Sequence, residues 1–93
     1  MGEIMKIKDG FALKTIAGTN VVVPMGSNVV SFKAIITLNE SGAFLWQSLE
    51  TDITKEQLLE AMLKEYNVDS QTATADIDEF LSKLREADLL DEA

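Results

Sequence analysis

The chain has 93 residues, 46% of them hydrophobic, a formal net charge of −8, and neither cysteine nor histidine. That length holds one domain with one modest core, and the hydrophobic share is that of a folded protein rather than a disordered one. The missing residue types exclude disulfides, thiolate or imidazole metal sites, and nucleophile–base pairs of the Cys-His and Ser-His kind.

The first predicted element is a strand from Phe11 to Ile16. Ala17-Gly18-Thr19-Asn20 carries turn chemistry, with Gly18 suited to positive φ and Asn20 tolerant of it. A short β-branched strand runs from Asn20 to Val23, and Pro24 stops its ladder before the turn Pro24-Met25-Gly26-Ser27-Asn28. The third and longest strand is Val29 to Leu38. Two tight connections imply an antiparallel meander. In the third strand Val30, Phe32, Ala34, Ile36 and Leu38 alternate as a wholly apolar set and are expected to face the core. Val29, Ser31, Lys33, Ile35 and Thr37 form a mixed set directed at solvent or a partner.

Three helices follow. Asn39 or Ser41 can cap the first, over Gly42 to Leu49, and Phe44, Leu45, Trp46 and Leu49 spread round it as on a buried helix. Trp46 is expected in the core, where its indole N–H needs a partner. Thr54-Lys55-Glu56-Gln57 has the form of a capping box, so the second helix starts at Lys55. Its apolar stripe is Leu58, Leu59, Met62, Leu63 and Tyr66, and Asn67 is a candidate left-handed stop. Asp69 or Ser70 caps the third helix, with the stripe Ala73, Ile77, Phe80, Leu81 and Leu84 and an end near Ala87-Asp88. Leu89 and Leu90 are expected to pack back as a short tail. The outline is α+β and winged-helix-like: a three-stranded antiparallel β-meander followed by three α-helices. We expect one domain over 1–93, with its core at about 11–90.

Charge is unevenly spread. Up to Trp46 there are four basic and three acidic residues, and from Gln47 onward four basic and thirteen acidic. The second half therefore repels nucleic-acid phosphates and anionic lipid and attracts basic peptide or protein surface, solubility being the simplest reason for it. The helix-turn-helix reading of the last two helices makes Gln71 to Ala87 a DNA-recognition helix, yet it carries Asp76, Asp78, Glu79 and Glu86 against Lys83 and Arg85. A carrier serine at Asp69-Ser70 is opposed by Gln71 after it and by the β-rich first part. Asp76 and Glu79 share one helix face and could take a hard cation, but a solvated acidic face explains them as well. No stretch approaches the roughly 20 apolar residues of a membrane span, and no signal peptide precedes the first strand, so a cytoplasmic protein is expected. No cofactor, metal or catalytic residue is indicated.

The third strand is the chemically suggestive element. It runs straight into a helix, so one of its hydrogen-bonding edges is free, and only Lys33 offers an interior charge to blunt it. Such an edge can template an added strand, with the third helix as the wall of a side-chain groove. The competing expectation is that the edge is covered by Glu3 to Lys8 or by a second copy of the chain.

The same residues carry a family resemblance. Val21-Val22-Val23-Pro24, Leu38-Asn39-Glu40-Ser41-Gly42 with Phe44-Leu45-Trp46, Thr54-Lys55-Glu56-Gln57-Leu58, Glu65-Tyr66-Asn67-Val68 and Asp76-Ile77-Asp78-Glu79-Phe80-Leu81-Ser82-Lys83-Leu84 follow one another in order and close with Leu89-Leu90. In this order they resemble the PqqD family of coenzyme PQQ synthesis proteins, also called RiPP recognition elements. The resemblance implies a non-enzymatic domain that binds the leader of a ribosomally made precursor peptide and presents it to a modifying enzyme, often a radical-SAM protein. It implies that the leader adds alongside the third strand. Carried onto this chain, the peptide-binding residues are Ser31, Phe32, Lys33, Ala34, Ile35 and Ile36 on the strand and Phe80, Lys83, Leu84 and Ala87 on the third helix. The opposite flank of that helix, with Leu81 and Arg85, stays open as an alternative. Other readings are a structural or regulatory domain that dimerises through the same edge, and a winged-helix DNA-binding regulator; a monomer and a homodimer are both compatible with the sequence.

Overall fold

The computed structural model describes residues 4–26 and 36–92. Strands β1 (Ile4–Ile7), β2 (Phe11–Ile16), β3 (Thr19–Pro24) and β4 (Ile36–Leu38) precede helix α1 (Glu40–Ser48). Then come β5 (Ile53–Thr54), α2 (Lys55–Glu65), α3 (Ser70–Glu86) and β6 (Leu90–Glu92). The class is α+β, with antiparallel strands and three helices.

The meander is the sheet β2-β3-β4. Its hairpin closes on Ala17 (φ 51°) and Gly18 (φ 78°) between the paired residues Ile16 and Thr19. Two consecutive positive φ angles are the two-residue turn whose twist matches a hairpin. Asn20 is not a turn residue: it sits in β3, paired with Thr15 and Leu38. The predicted third strand is described only as Ile36–Leu38, and the expected contacts Ser31, Phe32, Lys33, Ala34 and Ile35 lie outside the described residues. Within β4 the alternation holds, since Ile36 and Leu38 are half-buried and Thr37 is exposed.

A second sheet, β5-β1-β6, is not anticipated by the strand reading. Met5 pairs with Ile53 and with Glu92, so β1 lies between the turn before α2 and the last strand. Ile7 N–H donates to the Leu49 carbonyl (2.8 Å) and Lys8 N–H to that of Leu89 (2.9 Å), which fastens β1 to both helical ends. The Leu89-Leu90 tail is therefore part of a sheet. Asp88, at φ 58°, makes the reversal that carries the chain from α3 into β6.

Each helix starts on a side-chain cap. Asn39 Oδ1 accepts from Gly42 N–H (2.8 Å), and Asp69 Oδ1 accepts from Thr72 N–H (2.7 Å). Thr54 and Gln57 form the reciprocal capping box. Asn67 does not stop α2 in a left-handed conformation. The helix ends at Tyr66, whose backbone is already extended (φ −121°, ψ 148°), so no positive φ is needed.

The core gathers Met5 and Ile7 of β1, Val22 of β3, Leu45, Trp46 and Leu49 around α1, and Leu58 and Met62 of α2. The full α3 stripe, Ala73, Ile77, Phe80, Leu81 and Leu84, joins it together with Leu89 and Leu90. Leu63 departs from the predicted α2 stripe and is 37% exposed, because its position turns away from the α3 contact. Trp46 is fully buried, and its Nε1–H finds no acceptor among the described residues. No helix among the described residues is long and apolar enough to cross a membrane.

Candidate functional site

The phase of the meander decides which backbone groups of β4 are free. Residues facing each other in an antiparallel pair alternate between bonded and non-bonded positions. The Met25 N–H donates to the Gly10 carbonyl (2.8 Å), one step beyond the pair Phe11–Pro24. This sets the odd-numbered residues of β3 toward β2 and its even-numbered ones, Asn20 and Val22, toward β4. Their partners Leu38 and Ile36 are thus the bonded positions of β4. Thr37 directs its own N–H and C=O away from β3, to the outer edge. That edge has no partner strand among the described residues. The N-terminal segment does not cover it, because Ile4–Ile7 is committed to β5 and β6 in the other sheet.

Beside this edge lies a groove of about 650 Å³ between β4 and α3. Ile36, Thr37 and Leu38 line one side and Phe80, Lys83, Leu84, Glu86 and Ala87 the other, with Asn39 and Gly42 at the start of α1. A smaller polar cavity of about 180 Å³ adjoins it, sharing Asn39, Gly42, Phe80 and Lys83 and adding Ser41, Leu45, Asp76 and Glu79. The first cavity takes the C-terminal part of α3 and the second the part before it, so the groove continues from β4 past the start of α1.

Of the residues expected from sequence, Ile36, Phe80, Lys83, Leu84 and Ala87 come together on this groove. The alternative flank of α3 lies elsewhere. Leu81 is buried, and Arg85 pairs with Glu92 of β6 (2.7 Å), roughly 200° round the helix from Lys83 at about 100° per residue. Thr37, Leu38, Asn39, Gly42 and Glu86 also line the groove, beyond the binding residues expected from sequence. The two-residue hairpin turn fixes which residues of β3 face β4, and the β3–β4 register, which that turn does not set, then turns Thr37 outward.

Phe80 and Leu84 are 7% and 2% exposed, so they serve the core as well as the groove wall. Gly42 fits closely at the start of α1: a Cβ there would stand 3.0 Å from Asn39 Oδ1 and 3.3 Å from Leu38 Cβ, so both neighbours would have to shift by a few tenths of an ångström. Lys83 Nζ lies 3.8 Å from Glu79 Oε1, a loose surface pair that leaves the ammonium accessible. Among the described residues no group of three His, Cys, Asp or Glu side chains is placed to hold a metal ion.

The sequence model of the PqqD family, coenzyme PQQ synthesis protein D, matches residues 20–90. The chain belongs to the PqqD family. The match runs from the second residue of β3 to the first of β6 and so includes both walls of the groove. The solved structure of TbiB1 in complex with the TbiA(beta) leader peptide is similar to this PqqD-family chain, with 27% sequence identity and a TM-score of 0.71. The likeness covers 92% of this chain and 94% of that one. No curated protein matches the chain.

Proposed function

We propose that this PqqD-family domain binds the leader of a ribosomally synthesised precursor peptide by strand addition to the outer edge of β4, and presents it to a modifying enzyme, a radical-SAM protein being the partner expected from the family. The observation that carries this reading is the pairing of an outward amide and carbonyl at Thr37 with an apolar groove along α3. A guest strand gains main-chain hydrogen bonds from the first and side-chain burial from the second. Family membership and likeness to a leader-peptide complex support the choice of guest. The domain acts as a binding module, and its groove offers no histidine or cysteine for covalent or general-base chemistry.

In this reading Ser31 to Ile36 are the further strand contacts, and Phe80, Lys83, Leu84 and Ala87 receive the guest's alternate side chains. Calorimetry with the leader of a precursor peptide encoded beside this gene tests it. Thr37→Pro removes an N–H that β3 does not use, so the native ladder survives while the guest loses a bond. One net hydrogen bond of about 0.5–1.5 kcal/mol corresponds to a roughly 3- to 10-fold weaker Kd, with Thr37→Ala near wild type. Equal affinity of Thr37→Pro and wild type contradicts strand addition at this edge. Light scattering tests the other occupant: a dimer that persists when leader is added assigns the edge to a second copy.

A further inference from the structure

Given the peptide-binding reading above, on which this inference rests, we infer that the preferred guest carries two cationic side chains four residues apart with an apolar residue midway. Glu79 is engaged by Lys83 (3.8 Å), and Asp78, which does not line the groove, is held by Lys55. Asp76 and Glu86 form no ion pair among the described residues, and each lines one of the two joined cavities. They stand ten positions apart on one continuous helix, about 15 Å along its axis at about 1.5 Å per residue. Between them the wall carries Phe80 and Leu84, with the Glu79–Lys83 pair beside them.

An extended guest advances about 3.4 Å per residue, so about 15 Å is close to four steps. Four is an even number, and even steps keep side chains on one face of a strand. A guest with side chains i, i+2 and i+4 directed at α3 therefore sets its ends against the two free carboxylates and its middle residue against Phe80 and Leu84. Lysine or arginine at both ends complements those carboxylates. Acidic ends would add to the thirteen acidic side chains of the second half of the chain.

The test uses three synthetic fluorescein-labelled peptides of the same length, with leucine at the central position and lysine, glutamine or glutamate at both flanking ones. Fluorescence polarisation is read on the full chain and on Asp76→Asn/Glu86→Gln, two solvent-facing changes. The lysine peptide is expected to bind about 3- to 10-fold more tightly than the glutamine peptide, as two exposed charge pairs allow, and the glutamate peptide least. The gap should shrink in the double variant and again at high salt. Equal affinities, a preference for glutamate, or a lysine preference untouched by the double variant overturns the inference while leaving strand addition in place. Absence of binding by all three at millimolar concentration overturns strand addition itself, and the guest class with it.

Discussion

Thr54 and Gln57 exchange hydrogen bonds across the first turn of α2, and this box is readable from four letters of sequence. Thr54→Ala should cost about 1 kcal/mol in urea unfolding. Asp69 has a different signature. The Thr72 backbone N–H, with further help from its side chain, holds the Asp69 carboxyl below its ordinary value of 3.8. A depressed folded value means that this contribution is present above about pH 4 and is lost as pH falls through the folded value. Asp69→Asn keeps an acceptor that does not titrate, so its stability should fall less steeply than wild type in the most acid range. Gly42→Ala sets two effects of similar size against each other. Helix propensity favours alanine by up to about 1 kcal/mol, while the new Cβ displaces the Asn39 cap, also worth about 1 kcal/mol, and presses on Leu38. The variant should be no more stable than wild type in the same urea experiment. Residue-level signals were legible where the chemistry is local, as in these caps. They failed at Asn67, because a residue that tolerates positive φ is not compelled to adopt it.

At the scale of elements, β2, β3 and the three helices were legible, since each is long enough to show its period or its turn. Strands β1, β5 and β6 were not. They have four, two and three residues, too few for alternation to register, and their pairings join the start, middle and end of the chain. What the sequence did show is that Leu89 and Leu90 are apolar beyond the last helix. The structure explains them: Leu89 is fully buried, donates its N–H to the Leu84 carbonyl (2.9 Å) and accepts from Lys8 N–H (2.9 Å). Leu89→Ala should cost about 2–5 kcal/mol by loss of burial and the cavity left behind. A loss below about 1 kcal/mol would mean that the β1–β6 clamp is not part of the cooperative unit. Half of the candidate site was equally legible. The α3 stripe named the groove wall, but its open flank became clear only when Arg85 was seen bound to Glu92.

The whole molecule separates two tasks between two sheets. The sheet β5-β1-β6 ties the ends of the chain to the helices and uses up the N-terminal segment that could otherwise have covered β4. The meander β2-β3-β4 keeps an outer edge beside α3. Of the charged side chains in the acidic second half, Asp76, Glu79, Lys83 and Glu86 line the groove beside that edge. The most direct measurement is an NMR titration of the labelled chain with its precursor leader. Occupation of the edge predicts amide shifts concentrated at Ile36–Leu38 and along the Phe80–Ala87 flank of α3, with Thr37 N–H protected from solvent exchange in the complex. Shifts confined to β1, β5 and β6, or a Thr37 amide that exchanges as fast with leader as without it, would contradict the account.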